Sequence, residues 1–236
     1  MILAYPFTYY GRSYREWLNR SRLRIAVPAR GEQISVAEAA LHCRIDAYGS
    51  PAEYEEQAWL ESAIVAAREY CEGWTGLALV PQTFELAVNG FPYVCDLATY
   101  WAQGYEPGIG LQVAPIIAVQ TVVYTDTDGA TQTTYGADWL LDEFSAPGVL
   151  HVAYGGTWPT ARAIPNAVRI TFDAGYALPG DSPSEPALPY SIRQAMLLVI
   201  GHMYEHRESV TEKALHELEM GALPLLERYR IRTGMA

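Results

Sequence analysis

Cysteine is scarce in this chain of 236 residues, with three at Cys43, Cys71 and Cys95. Three thiols cannot all pair, so a disulfide framework is excluded. A sparse, odd set fits packed thiols in a reducing cytoplasm. Long apolar runs are missing too, and none reaches the roughly 20 residues that a membrane span requires. The N-terminal stretch MILAYPFTYYGRSYREW is aromatic and basic. It lacks an apolar core followed by a small-residue cleavage site, so no signal peptide is expected. Positive charge is short overall, with 16 basic against 27 acidic residues and a net charge of −11. Residues 1–34 hold six arginines (12, 15, 20, 22, 24 and 30) against Glu16 and Glu32, a local charge of +4 that leaves −15 for the remainder. A body this acidic is a poor binder of phosphate, because sequence-independent affinity for nucleic acid comes from Lys and Arg. Solubility accounts for the acidity. Three common signatures of catalysis are also absent: there is no G-x-S-x-G elbow, no P-loop and no dinucleotide fingerprint.

Half of the residues are apolar, enough for a sizeable core in one large domain or two small ones. The strongest helical signal is Leu188–Ser209, LPYSIRQAMLLVIGHMYEHRES. Ile192, Met196, Val199 and Met203 recur at helical spacing, and Leu197, Leu198 and Ile200 widen the stripe. Pro189 suits a first helical turn, where its missing N–H has no partner to lose. The spacing predicts a central strut buried on more than one side. Two capping boxes, Ser35-x-x-Glu38 and Ser50-Pro51-Ala52-Glu53, open earlier helices. The first runs to about Arg44. The second carries Trp59, Leu60, Ala63, Ile64, Ala67, Tyr70, Cys71 and Trp74 on one face and stops at Thr75-Gly76. Cys43 and Cys71 fall on the faces expected to be buried, as inert small hydrophobes.

From Leu77 the period changes from 3.6 to 2. Strands are predicted at Phe84–Val88, Ile116–Tyr124, Thr131–Tyr135, Trp139–Leu141, Val149–Tyr154 and Ala167–Phe172, with a hairpin turn at Asp128-Gly129. The stretch around Gly104–Gly110 reads as a loop, and 177–187 (ALPGDSPSEPA) as a linker. The fold class is therefore α+β: a helical bundle built on a long C-terminal strut, with a β-rich unit inserted between N- and C-terminal helices. The expected organisation is an N-terminal arm (1–33), a helical core (34–76 and 188–236) and a β-rich insertion with its linker (77–187). The arm interleaves Tyr5, Phe7, Tyr9, Tyr10, Tyr14 and Trp17 with arginines. That mix suits stacking on nucleic acid, and equally packing on an acidic neighbouring subunit.

Three constellations compete for a function. His202-Met203-Tyr204-Glu205-His206 matches H-x-x-E-H, in which two histidines one helical turn apart hold zinc and a glutamate serves as base. It supports an alternative reading as a zinc-dependent hydrolase. A third ligand would have to come from the short remainder of the chain, where Glu217 and Glu219 sit in no recognisable motif. The opposing reading is one packed and one solvated histidine at a helix end. Trp101, Trp139 and Trp158 could form a carbohydrate platform. The acidic pairs Asp126/Asp128 and Asp142/Glu143 lie at turns, where local hydrogen bonding explains them better than acid–base work.

Four segments, in order, resemble the head–tail connector proteins of tailed phages, also called adaptor or head-completion proteins and found in phage-like gene-transfer particles. They are SVAEAALHCRID (35–46), AAREYCEGWTGLALVPQTFEL (66–86), VAYGGTWPTARAIPNAVRITFDAGY (152–176), and the pair IRQAMLLVIGHMYEHRE (192–208) and LPLLERYR (223–230). The resemblance implies a non-enzymatic structural virion protein without a cofactor. It implies a homo-oligomeric ring, a dodecamer in the particle, sited in the neck at the portal vertex and made in the bacterial host cytoplasm. Such a ring docks on the portal protein, extends the DNA channel and presents the attachment surface for a stopper or tail-completion protein. DNA would pass without specific binding, and no membrane is involved. Glu212, Glu217 and Glu219, with Lys213 the single basic residue beside them, are expected to line the channel and repel phosphate. A terminal segment of the connector is implied to engage the portal. Tyr229, Arg230, Ile231 and Arg232 are expected to extend from the body for that purpose, whereas Leu225 and Leu226 could equally pack back on the strut. The arm departs from the family pattern; Tyr9, Tyr10, Tyr14 and Trp17 are expected to lie on a neighbouring subunit or another particle component.

Overall fold

The computed structural model describes residues 22–45, 51–92, 108–181, 186–207 and 221–231. Arg22–Val27 forms strand β1, Val36–His42 helix α1 and Pro51–Thr75 helix α2. Seven strands follow: β2 (Gln82–Val88), β3 (Gly108–Gly110), β4 (Ile116–Thr125), β5 (Thr131–Thr134), β6 (Trp139–Asp142), β7 (Val149–Val152) and β8 (Val168–Ala174). Helix α3 (Tyr190–Glu205) and a helical stretch over 221–227, α4, are the last described elements. The class is α+β, as the change of period at Leu77 predicts.

Two cores share the interior. The helical core joins α1, α2, α3 and α4 through Ala39, Leu60, Ile64, Ala67, Cys71, Ile192, Met196, Ile200 and Leu226. The strut buries Ile192, Met196 and Val199 as its spacing predicts, and also Ala195, Leu197 and Ile200, while Met203 is half-buried. It starts one residue later than a proline at the first helical position would give, because Pro189 is the N-cap. It stops at Glu205, and the His206 N–H bonds the His202 carbonyl. The β core lies between a five-stranded antiparallel sheet, ordered β1-β2-β8-β4-β5, and a three-stranded one, ordered β3-β7-β6. In β2 and β8 every second residue is buried, so Phe84, Leu86, Val88, Ile170 and Phe172 share the inner face. Phe84 and Phe172 face each other across the β2–β8 register and stack at 5.7 Å.

One crossing between the cores runs from Leu77 to Leu79, and the chain returns past Gly175 toward the strut. Leu77 and Leu79 turn into the helical core and Ala78 into the β core. A strand's alternation lets one segment serve both sides. Side chains lock this crossing. The amide of Gln33, 2% exposed, donates to the carbonyls of Leu79 (2.8 Å) and Ala177 (2.9 Å), and so holds together the start of one chain crossing and the start of the other. Glu72, near the end of α2, accepts from the Leu79 N–H (2.8 Å) and from Gln82 Nε2 (3.2 Å). Arg68 bridges Glu72 (2.7 Å) and Glu32 (3.0 Å). Burial raises the carboxyls of both Glu32 and Glu72 above the ordinary glutamate value, with Arg68 opposing the shift. Gly175 closes the same corner at φ +133°, where a Cβ would lie 2.1 Å from the Val80 carbonyl oxygen.

Three expectations change. Residues 22–27 do not belong to a separate arm: β1 pairs with β2 from Arg22↔Ala87 to Val27↔Thr83, and Ile34 and Gln33 beyond it are buried. Pairing across some 60 residues of sequence is a long-range choice that local pattern does not carry. The end of the loop read around Gly104–Gly110 is strand β3, paired Gly108↔His151 to Gly110↔Val149. The first capping box is half formed: Ser35 Oγ accepts the Glu38 N–H at 3.2 Å, but the Glu38 carboxylate takes the guanidinium of Arg193 (2.9 Å) on the strut. A charged partner on another helix outcompetes the neutral backbone N–H. The side chains of the second box, and Cys95, lie outside the described residues. Cys71 is fully buried and its thiol is pushed up to about 12 by desolvation, whereas Cys43 is half-buried.

Candidate assembly surfaces

The H-x-x-E-H histidines stand at the C-terminal end of the strut. Their rings stack at 4.6 Å, and His206 Nδ1 lies 3.2 Å from the His202 carbonyl oxygen, closing the helix end. Glu205 is exposed. His202, Glu205 and His42 line a cavity of about 210 Å³ with Leu198, Gly201, Gly221 and Ala222. Among the described residues no three His, Cys, Asp or Glu side chains converge on one point. Next to this end, Arg207 lies over Tyr204 (4.6 Å) and Trp59 (5.0 Å), whose rings meet edge to face at 5.4 Å. This arrangement ties the strut's end to α2, as packing and cation–π attraction both favour.

The tryptophans form no common platform among the described residues. Trp158 stacks on Phe91 at 4.9 Å and both pack on the β core, as does Trp139. Trp101 lies outside the described residues. The acidic pairs serve their turns. Asp126 accepts from the Asp128 N–H, the Ala130 N–H and Gln132 Nε2, chiefly the last of which holds its carboxyl below the usual range. Asp142 is lowered by the Ser145 hydroxyl and accepts the Phe144 N–H at 2.9 Å.

The C-terminal segment is laid on the body. Ala222 and Leu226 are buried, and Leu223, Leu225, Tyr229 and Ile231 pack on the helical core. The Ile231 N–H donates to the Thr75 carbonyl at 2.7 Å, and the Ile231 side chain sits 3.4 Å from the point where Gly76 would carry a Cβ. Arg230 lies over the Trp74 ring at 4.8 Å with its side chain 46% exposed. The expectation that Tyr229, Arg230 and Ile231 extend from the body therefore does not hold in the isolated chain. Their apolar side chains have a covering surface within reach, at the end of α2, which the sequence does not announce. Arg232 lies outside the described residues. So do Tyr9, Tyr10, Tyr14 and Trp17, and Glu212, Glu217 and Glu219.

A further surface was not legible in the sequence. Along β6 and its flanking turns, Tyr135, Leu140, Phe144 and Tyr154 are exposed, Phe144 and Tyr154 completely so. Beta-strand alternation hinted at Leu140; the position of Phe144 inside an Asp-anchored turn is the one local signal for an aromatic with no interior to enter.

Helical bundle and β unit thus define an α+β structural module whose conspicuous features are surfaces and edges. No protein-family model matches the chain, and no curated protein does. Solved structures do share its fold. A chain in the virion of the native gene transfer agent (GTA) particle aligns with a TM-score of 0.65 and 24% identity over 91% of this chain and 97% of that one. A chain in the neck of the empty GTA particle, computed with C6 symmetry, gives 0.65 and 25% over 91% and 98%. One in the neck of the native particle, computed with C12 symmetry, gives 0.61 and 24% over the same shares. The similarity runs through both the helical and β parts of the chain. Among the described residues, no helix is long and apolar enough to cross a membrane.

Proposed function

We propose that this chain is a structural virion protein of the neck: a connector that forms a ring on the portal of a phage-like particle, extends the DNA channel and offers the attachment surface for the stopper or tail. The observation that carries the reading is the shared fold over nearly the whole of both chains, with partners taken from particle necks computed with C6 and C12 symmetry. Those symmetries support a homo-oligomeric ring, which we read as twelve-fold to match the portal. The resemblance of four ordered sequence segments to connector proteins supports the same reading.

The physical logic is that of a rigid subunit in a closed ring. Gln33, Glu72 and Arg68 fix the helical part against the β part, so that each copy presents its surfaces at one angle. A heterologous contact closes into a ring only if that angle is constant. Tyr229 and Ile231 anchor the C-terminal segment on the body, which leaves Arg230, with Arg232 beyond it, as the charged element of Tyr229–Arg232 to face the portal. Glu212, Glu217 and Glu219 line the channel, where carboxylates repel passing phosphate. The aromatic arm reaches a neighbouring subunit.

The test is reconstitution. Purified protein is added to DNA-filled heads that carry the portal but lack this chain, and the vertex is imaged by cryo-electron microscopy. A ring of this chain on the portal is expected. Heads that remain bare at saturating protein refute the connector reading.

A further inference from the structure

β6 is the outer strand of the three-stranded sheet, and among the described residues no strand pairs with its far side. Trp139 and Leu141 pack on the β core, while Leu140 between them is 64% exposed. The ends of this edge are braced. Asp138 accepts the Ala153 N–H at its carbonyl (3.0 Å) and the Tyr135 N–H at its carboxylate (2.8 Å), which brings exposed Tyr135 and Tyr154 to one end. Asp142 fixes the turn that holds Phe144 at the other. Four exposed large side chains on β6 and on the turns at its two ends form a grouping of the kind that marks an interaction site. An open edge with side-chain anchors on both sides also suits the addition of an extended strand. The exposed Asp138 and Glu143 make the surroundings acidic.

Residues 1–21 have the complementary chemistry. They carry Arg12, Arg15 and Arg20 against Glu16, a net of +2. Leu3, Tyr5, Phe7 and Tyr9 alternate with Ala4, Pro6, Thr8 and Tyr10, the period of an extended strand. Pro6 is compatible with pairing at an edge. Fully extended, such a length spans up to about 70 Å, which reaches across a neighbouring subunit. A ring closed by heterologous contacts needs two different, complementary surfaces on each copy. A basic aromatic segment and an acidic aromatic edge are such a pair. We infer that the β6 edge, through Tyr135, Leu140, Phe144 and Tyr154, receives residues 1–21 of a second copy of this chain. The inference rests on the ring reading above.

The test places a photoreactive benzoylphenylalanine at Phe144 in the full chain, mixes it with nitrogen-15-labelled wild-type chain, assembles the mixture on portal-bearing heads and irradiates. Cross-linked peptides from residues 1–21 of the labelled copy are expected. In parallel, the Phe144→Ala/Tyr154→Ala variant should melt as wild type does and assemble at least about tenfold less well, the loss expected when two aromatic anchors are truncated. Rings whose cross-links fall outside residues 1–21, or only within the unlabelled copy, overturn the inference and leave the connector reading standing. So does a double variant that assembles like wild type. A wild-type chain that never forms a ring on the portal overturns both.

Discussion

Replacing Arg68 with methionine removes the charge at the joint between the two cores and keeps most of the side-chain volume. Arg68 is 9% exposed at its side chain, and its partners Glu32 and Glu72 are 23% and 17% exposed. Breaking a buried ion pair by removing one member costs about 3–5 kcal/mol. Partial solvent access to both carboxylates places the expected loss near the lower end, about 3 kcal/mol at pH 7. For a chain of this size each kcal/mol moves the melting point by about 2–4 °C, so a drop of roughly 6–12 °C is expected. The pH dependence sharpens the test. Burial holds both glutamates above their ordinary value, so in the window just above that value the folded state keeps protons that the unfolded state releases. Stability from this site therefore falls as pH rises through the window. Without Arg68 the carboxyls shift further up, so the deficit of the variant should be large at neutral pH and shrink on acidification toward the ordinary glutamate range, as protonated carboxyls need no cation. Thermal unfolding followed by circular dichroism at neutral and acidic pH reads it out. A variant that melts within a degree or two of wild type at neutral pH, or whose deficit grows on acidification, refutes this account of the joint.

Other outcomes follow from the same geometry. Gly175→Ala puts a methyl group into the Val80 carbonyl at a backbone angle that alanine avoids, and should cost roughly 3 kcal/mol or more by denaturant titration. Truncation after Arg228 removes the Ile231–Thr75 hydrogen bond and the packing of Tyr229 and Ile231, so its melting point should fall, by an amount equivalent to about 2 kcal/mol. Arg230→Ala should instead change stability by less than about 1 kcal/mol, as loss of an exposed cation–π contact does, while weakening attachment to portal-bearing heads; unchanged attachment counts against Tyr229–Arg232 as the docking element. His206→Ala should alter the melt by less than about 1 kcal/mol, and metal analysis should give no stoichiometric zinc for wild type or variant.

Local pattern was sufficient wherever one segment's own period decided its partner-facing side. The strut shows this: Ile192, Met196 and Val199 are buried because helical spacing puts them on one stripe, whatever packs against it. The alternation in Phe84, Leu86 and Val88 similarly named the inner face of β2. Ser35 capped α1 and Gly76 ended α2 for reasons confined to a few neighbouring atoms. The four ordered segments that resemble connectors were readable for a related reason, since each is short and keeps its own local form.

Tertiary structure alone decided everything that depends on residues distant in sequence. Gln33 reads as an ordinary polar residue near a helix start, yet its amide bridges Leu79 and Ala177 at the junction of the two cores. Glu38 looked like a capping partner until Arg193, 155 residues away, supplied a stronger one. Arg22–Val27 carried no strand signal beyond composition and became an edge strand because β2 offered an unpaired side. Tyr229 to Ile231 looked like a free tail because the apolar surface that covers them is made by the end of α2. The exposure of Phe144 and Tyr154 likewise follows from where two turns come to lie around β6. A sequence fixes the period and the chemistry of each segment through local sterics and solvation. Which distant donor, carboxylate or apolar face meets it is a property of the folded arrangement, and the surfaces proposed for assembly belong to that second kind.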